Sequence, residues 1–362
     1  MKILIGGGGT GGHIYPALAL SRFAQRVDSN CEILFVGSEK GLESTIVPSA
    51  GFNLRTIPAS GFKRSLKGLV KTISDLAGGM KEAGAILKDF KPDVVFGTGG
   101  YVAAPLVIKA ALKRYPVVIH EQNALPGLTN RLMARFSRRI CLSFAETGSR
   151  MAGRRKTVYT GNPRASEVTA YSREEGISRF GLDPKAKTVL VYGGSRGALK
   201  LNQVVTTYLE NKMLPTDVNM IYVTGDLYYQ EVSVKLTGLP GRVKLFPYLD
   251  DMPAALAAAD LAVTRSGATT LAEITALGIP AILIPSPNVV DNHQYYNARL
   301  LSDRGAAVLI EEKDFDDTRL AAEIDGLFAT PEKLSDMAEK SRQMGVPDAA
   351  ERVYRVLQEV AS

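Results

Sequence analysis

The sequence predicts an α/β protein of two doubly wound, parallel-sheet domains. Short apolar β-rich runs alternate with longer helical patterns along the whole chain, and the alternation starts again past its middle. Glycine-rich segments follow several of the apolar runs, as strand-to-helix loops require. At 362 residues the chain also exceeds what one hydrophobic core ordinarily supports.

In the first half the strand candidates are residues 2–5, 32–36, 94–97, 117–120 and 140–142. In the second half they are 189–192, 220–223, 243–246, 261–264 and 281–284. A helical run from residue 16 to residue 27 follows the first glycine loop, with Pro16 suited to a helix's first turn. The stretch Tyr159-Thr160-Gly161-Asn162-Pro163-Arg164 is punctuated by Gly and Pro, and a polar, charged segment follows it to Lys187. The domains are therefore expected at 1–161 and 162–344. Val353, Val356, Leu357 and Val360 recur at helical spacing, so an amphipathic helix should close the chain.

Hydrophobic residues make up 45% of the chain and charged residues 22%, a globular rather than a disordered composition. Cys31 and Cys141 belong to no C-x-x-C pair, which argues for buried thiols and against a disulfide framework or zinc site. Met1-Lys2-Ile3-Leu4-Ile5 runs straight into glycines, too short a core for a signal peptide, and no apolar stretch reaches bilayer length. The expected location is the cytoplasm. A net charge of +7 favours an acidic partner: nucleic acid, anionic lipid or a phosphorylated substrate. No zinc-finger spacing, recognition-helix signature or aromatic RNA-binding motif is present, so nucleic acid is set aside.

The loop Gly6-Gly7-Gly8-Gly9-Thr10-Gly11-Gly12-His13 lies between an apolar strand and a helical run. Glycines let backbone approach a phosphate, and the amides of a helix start favour an anion. Gly7, Gly9 and Gly12 also satisfy G-x-G-x-x-G, but the acid that a dinucleotide's ribose needs after the second strand comes late, at Glu39. Similar loops are Gly97-Thr98-Gly99-Gly100-Tyr101, Gly193-Gly194-Ser195-Arg196-Gly197-Ala198 and Arg265-Ser266-Gly267-Ala268-Thr269-Thr270. Any one of them is explained by a tight turn. Four together point to a diphosphate ligand and a second phosphorylated substrate.

There are three histidines: His13, His120 and His293. His13 adjoins the expected anion site and titrates near neutrality, which suits a general base. Glu121 is the rival base, against the plainer role of tying down its own loop. Glu273, one turn past Thr269, suits a ribose diol, against a plain favourable interaction with a helix N-terminus. Between Gly61 and Phe90, Leu66, Leu69, Val70 and Ile73 recur at helical spacing among Lys63, Arg64, Lys67 and Lys71. That pattern fits either a solvated surface helix or a patch lying on an anionic bilayer.

The segments GGGGTGGHIYPALAL, GTGGYVAAP, HEQNALPGLTNR, GNPR, YGGSRGA, YLDDM, RSGATTLAE and DNHQYYNA occur in this order over nearly the whole chain. Together they resemble the bacterial cell-wall transferases of glycosyltransferase family 28, which add N-acetylglucosamine to lipid I. The resemblance implies a GT-B fold, two Rossmann-like domains facing a central cleft, with the terminal segment 345–362 packing back onto the first. It implies UDP-N-acetylglucosamine held mainly by the second domain and the lipid-linked acceptor served by the first, on the cytoplasmic face of the membrane.

By the same resemblance, Ser195 and Arg164 contact the donor diphosphate, Leu249 lies by the uracil and Glu273 holds the ribose. Gln294, Asn123, Ala268 and Thr269 address the diphosphate or sugar hydroxyls, and Thr10, Gly11 and Gly12 line the site from the other domain. Gly99, Gly100 and Tyr101 fall to the acceptor side. Here GNPR is followed by Ala165, where some relatives carry an extra residue before the arginine, and some have glutamine in place of His293. The implied partners are the donor, lipid I, the anionic inner leaflet and other cell-wall synthesis proteins.

The implied reaction inverts C1 of the sugar and needs a base together with stabilisation of the departing diphosphate. Helix N-termini and Arg164 suit the second task without a metal or cofactor. Three other readings stay open: a UDP-N-acetylglucosamine epimerase of the same fold, a nicotinamide oxidoreductase, and a non-catalytic scaffold for cell-wall enzymes.

Overall fold

Parallel pairing holds throughout both sheets, so every strand-to-strand crossover carries the chain over a face and back to the same edge. The structure is a computed structural model and describes residues 1–61, 66–194 and 197–362, with the side chains of 66–70 outside the description. The chain divides into Met1–Arg164 with Asp348–Ser362, and Ala165–Pro347.

In chain order the first unit has β1 (Lys2–Gly7), α1 (Gly11–Val27), β2 (Glu32–Gly37), α2 (Glu43–Ser49), β3 (Asn53–Thr56) and α3 (Leu66–Phe90). It continues with β4 (Val94–Gly99), α4 (Ala103–Leu112), β5 (Val117–Glu121), α5 (Leu128–Met133), β6 (Arg139–Leu142) and β7 (Thr157–Tyr159). The sheet order is β3-β2-β1-β4-β5-β6-β7. The winding thus reverses between β1 and β4, where their carboxyl ends part and leave room for a ligand. The register slips there as well: Gly6 pairs with Gly97, but Gly7 pairs with Gly99.

The second unit has α6 (Arg173–Phe180), β8 (Lys187–Tyr192), α7 (Leu199–Glu210), β9 (Val218–Val223), α8 (Asp226–Lys235), β10 (Val243–Phe246) and α9 (Met252–Ala258). There follow β11 (Leu261–Thr264), α10 (Ala268–Leu277), β12 (Ala281–Leu283), α11 (His293–Ser302), β13 (Ala307–Leu309), α12 (Asp317–Phe328) and α13 (Pro331–Met344). The order β10-β9-β8-β11-β12-β13 reverses between β8 and β11. The helix α14 (Ala349–Ala361) belongs to the first unit, where it packs on α1, β4, β5 and β6. Val353 and Leu357 are fully buried in one core with Ile3, Leu18, Phe35 and Val94.

Two differences from the sequence reading have physical causes. The strands β3, β7 and β13 have no counterpart among the apolar runs, and all three are edges of their sheets. An edge strand covers one side of one neighbour, so its residues stay largely half-buried or exposed and carry no continuous apolar run. The first helix begins at Gly11 rather than near Pro16, which lies inside it. Pro16 lacks only the amide that would have reached the Gly12 carbonyl, and the helix continues across that single lost bond.

Candidate functional site

In the first unit, the loops after β1, β4 and β5 come together at the switch point. Thr10 caps α1 with extended backbone, and Gly11, Gly12 and His13 form its first turn rather than a free loop. His13 Nδ1 lies 3.0 Å from the Gly8 carbonyl oxygen and 3.2 Å from Thr10 Oγ1. A carbonyl only accepts, so this contact assigns the ring proton of neutral His13 to Nδ1 and leaves Nε2 as the proton-accepting nitrogen. The β4 loop closes over that ring. A Cβ on Gly99 would stand 3.0 Å from His13 Nε2, and one on Gly100 would stand 2.3 Å from the Gly8 carbonyl oxygen. Both glycines have positive φ, 106° and 78°, so a side chain is unwelcome on two counts. Tyr101 lies against Gly9, at 3.2 Å from where a Cβ would be.

The third loop is built on a buried carboxylate. Glu121 accepts from the amides of Asn123 at 2.9 Å and Gly127 at 3.0 Å, and from the side-chain Nδ2 of Asn130 at 2.8 Å. Burial pushes its carboxyl up from the ordinary value, against the pull of these donors. The geometry thus gives Glu121 the loop-holding role, because its oxygens are already engaged inside the protein. Asn123 also approaches Glu121 Oε1 through its side-chain Nδ2, at 3.4 Å. His120 is fully buried, donates from Nε2 to the Gly161 carbonyl at 2.9 Å, and is pushed down to about 4 by burial. It is a structural histidine.

Around the switch point several buried polar atoms have no hydrogen-bond partner among the described residues: Thr98 Oγ1, Gln122 Oε1 and Asn130 Oδ1. Such groups carry a desolvation cost unless a ligand or water meets them. Arg164 closes this unit, its guanidinium 5.9 Å from the centre of the Tyr15 ring, within cation–π range.

One residue that the sequence reading passed over underlies the first loop. Glu43, the first residue of α2, is fully buried and accepts from the Gly9 amide at 2.8 Å, the Ser38 amide at 2.9 Å and the Ser38 hydroxyl at 2.7 Å. Burial alone would push its carboxyl up, but these donors outweigh it and hold the group below the ordinary range. The Gly9 amide is therefore turned inward and is lost to any phosphate, a partial correction of the expected cradle. Glu39 is exposed, so neither acid after β2 is arranged for a dinucleotide's ribose.

In the second unit the switch point carries the loop after β8, of which Ser195 lies outside the described residues, and the start of α10. Gly267 caps α10, with Ala268 buried as its first residue and Thr269 next. Thr269 Oγ1 is buried without a partner among the described residues. Glu273 is buried one turn further on, and Leu249 is half-buried after β10. Gln294 is pinned at both ends, its Oε1 accepting from the Ser286 amide at 3.0 Å and its carbonyl accepting from the Ser266 hydroxyl at 2.8 Å. His293 donates from Nδ1 to the Val290 carbonyl at 2.9 Å.

Of the basic stretch, Lys63 and Arg64 lie outside the described residues, as does the side chain of Lys67. Lys71 is exposed on α3 and pairs with Asp75 at 3.0 Å, while Ile73 beside it is 59% exposed. No described helix is long and apolar enough to cross a membrane.

Comparison with known proteins matches a model of the glycosyltransferase family 28 N-terminal domain to residues 3–142, and one of the family's C-terminal domain to residues 188–353. A protein of Halalkalibacterium halodurans is 47% identical over the whole of both chains. It is named UDP-N-acetylglucosamine–N-acetylmuramyl-(pentapeptide) pyrophosphoryl-undecaprenol N-acetylglucosamine transferase. The crystal structure of Acinetobacter baumannii MurG superposes with a TM-score of 0.78 at 28% identity, over 99% of each chain. A UDP-GlcNAc 2-epimerase from Neisseria meningitidis, at TM-score 0.69 and 15% identity over 99% of this chain and 100% of its own, shares the fold alone.

Proposed function

This chain belongs to glycosyltransferase family 28 and has its GT-B fold of two Rossmann-like units, and we propose that it moves N-acetylglucosamine from UDP-N-acetylglucosamine to lipid I. The acceptor is the C4 hydroxyl of the muramyl sugar, and the product is lipid II, the disaccharide lipid of peptidoglycan synthesis. The observation that carries this reading is the full-length identity of 47% to a transferase of that name, well beyond what a shared fold requires.

His13 Nε2 takes the proton of the acceptor hydroxyl as its oxygen attacks C1 of the donor sugar from the face opposite UDP. The C1–oxygen bond to the diphosphate breaks, the configuration inverts, and UDP departs with the bonding electrons. The first-turn amides of α10, with Thr269, Ser195 and Arg164, balance the charge that gathers on the diphosphate. Glu273 takes the ribose hydroxyls and Leu249 the uracil face, and Gln294 and Asn123 address the sugar hydroxyls. Gly99 and Gly100, which border His13, and Tyr101, which lies against Gly9, serve the acceptor side. Lys63, Arg64, Lys67 and Lys71, with exposed Ile73, hold the protein to the anionic inner leaflet where lipid I resides, beside other cell-wall synthesis proteins.

The test is incubation of the purified protein with labelled UDP-N-acetylglucosamine and a lipid I analogue. Equal amounts of UDP and labelled disaccharide lipid are expected. Conversion of the donor without lipid would instead mark an epimerase, and binding of UDP with no turnover would mark a scaffold.

A further inference from the structure

The first glycine loop is held from beneath by one side chain, and that side chain also explains the glycines around it. A Cβ on Gly8 would stand 2.4 Å from the Glu43 carboxyl carbon, one on Gly37 2.5 Å from its Cγ, and one on Gly41 2.2 Å from its Oε1. Three backbone segments thus close on a single carboxylate that already takes the Gly9 amide and both donors of Ser38. Gly8, next to the clamped Gly9, supplies the carbonyl that receives His13 Nδ1–H. Gly9 itself sits at φ 81°, and the inward turn of its amide goes with that conformation.

We propose that Glu43 is a positioning residue for the transfer reaction: by clamping the Gly8-Gly9 peptide it fixes the carbonyl that sets the His13 tautomer and aims Nε2 at the acceptor. This deepens the reading of His13 as base and rests on it. The carboxylate's shape is essential, since Oε1 meets two Ser38 donors and Oε2 meets the Gly9 amide. In Glu43→Gln, an amide oxygen kept on Ser38 turns the NH2 group toward the Gly9 N–H, donor against donor, and the loop loses its link.

The test uses protein labelled with [15N]histidine, in which only three histidines give signals and His13 is assigned by its loss in His13→Ala. The unmodified protein should show His13 protonated at Nδ1 when neutral. In Glu43→Gln this signal should move toward a mixture of tautomers, kcat should fall about 10- to 100-fold, and KM for UDP-N-acetylglucosamine should stay within about twofold. An unaltered His13 tautomer in folded Glu43→Gln overturns the proposal. If that variant does not fold, Ser38→Ala removes one bond to the same carboxylate, and should move tautomer and kcat the same way by less. Neither changing there overturns the proposal equally. Full turnover in His13→Ala removes the base reading and with it the catalytic role of the clamp, whereas the tautomer measurement decides the clamp itself without reference to turnover.

Discussion

Gly8 and Glu43 lie so close that a single methyl group on Gly8 would stand 2.4 Å from the Glu43 carboxyl carbon. The carboxylate can retreat only by giving up the Gly9 and Ser38 hydrogen bonds that hold it. Gly8→Ala should therefore cost about 1–3 kcal/mol in a urea titration, as overpacking does. Because the clash and the bonds share one side chain, Gly8→Ala combined with Glu43→Ala should cost clearly less than the two single changes added. Additive costs would show that the two residues do not press on one another.

His13 is the residue on which the chemistry turns. His13→Ala should lower kcat about 10²- to 10⁴-fold, the usual contribution of a positioned base, with little change in KM for the donor. A rate equal to that of the unmodified protein would remove it from that role.

Glu273 is buried in α10, one turn past Thr269. If its carboxylate takes the ribose hydroxyls, Glu273→Ala loses hydrogen bonds to a charged group, about 1.5–3 kcal/mol. Calorimetric titration with UDP should then show binding weakened roughly 10- to 100-fold. Undiminished affinity would return Glu273 to a local helix interaction.

His120 links stability to acid. In the unfolded chain a histidine takes its proton near 6.5, whereas buried His120 resists it down to about 4. Between those values the unfolded state binds more protons, so stability rises with pH and is lost as pH falls from 6.5 towards 4. His120→Gln keeps a donor for the Gly161 carbonyl and removes the titration. Its loss of stability between pH 7 and pH 5 should be about 2 kcal/mol smaller than that of the unmodified protein, at about 1.4 kcal/mol per unit. Equal losses in both would assign the acid sensitivity to other groups.

Leu357 tests whether the last helix is part of the first unit's core. It is fully buried beside Ile3, Leu18 and Phe35, so Leu357→Ala should cost about 2–5 kcal/mol. A cost below about 1 kcal/mol would mean that α14 contributes little to that core.

Most central elements were legible in the sequence because they are buried on both faces, and burial on both faces writes a continuous apolar run. Residues 94–97 and 189–192 are of this kind, and the strands there are buried almost throughout. β3 and β13, at the rims, left no such run. Among site residues His13 stood out by its place after a glycine loop, while Glu43 did not. Its only trace is an acid opening a helix, spaced behind Gly37 and Gly41, and nothing in that spacing says the carboxylate points back under another loop.

By itself the sequence determined which segments are strands and helices at the centre of each sheet, where the glycine loops fall, and which family the chain resembles. Those features are local in the chain: periodicity, glycine content and motif order. Only the tertiary structure decided that Glu121 is engaged with its own loop, that His120 is sealed in neutral, and that Glu43 holds the loop bearing His13. Burial and the direction of a hydrogen bond depend on what segments far apart in sequence place around a group, and no local pattern carries that information.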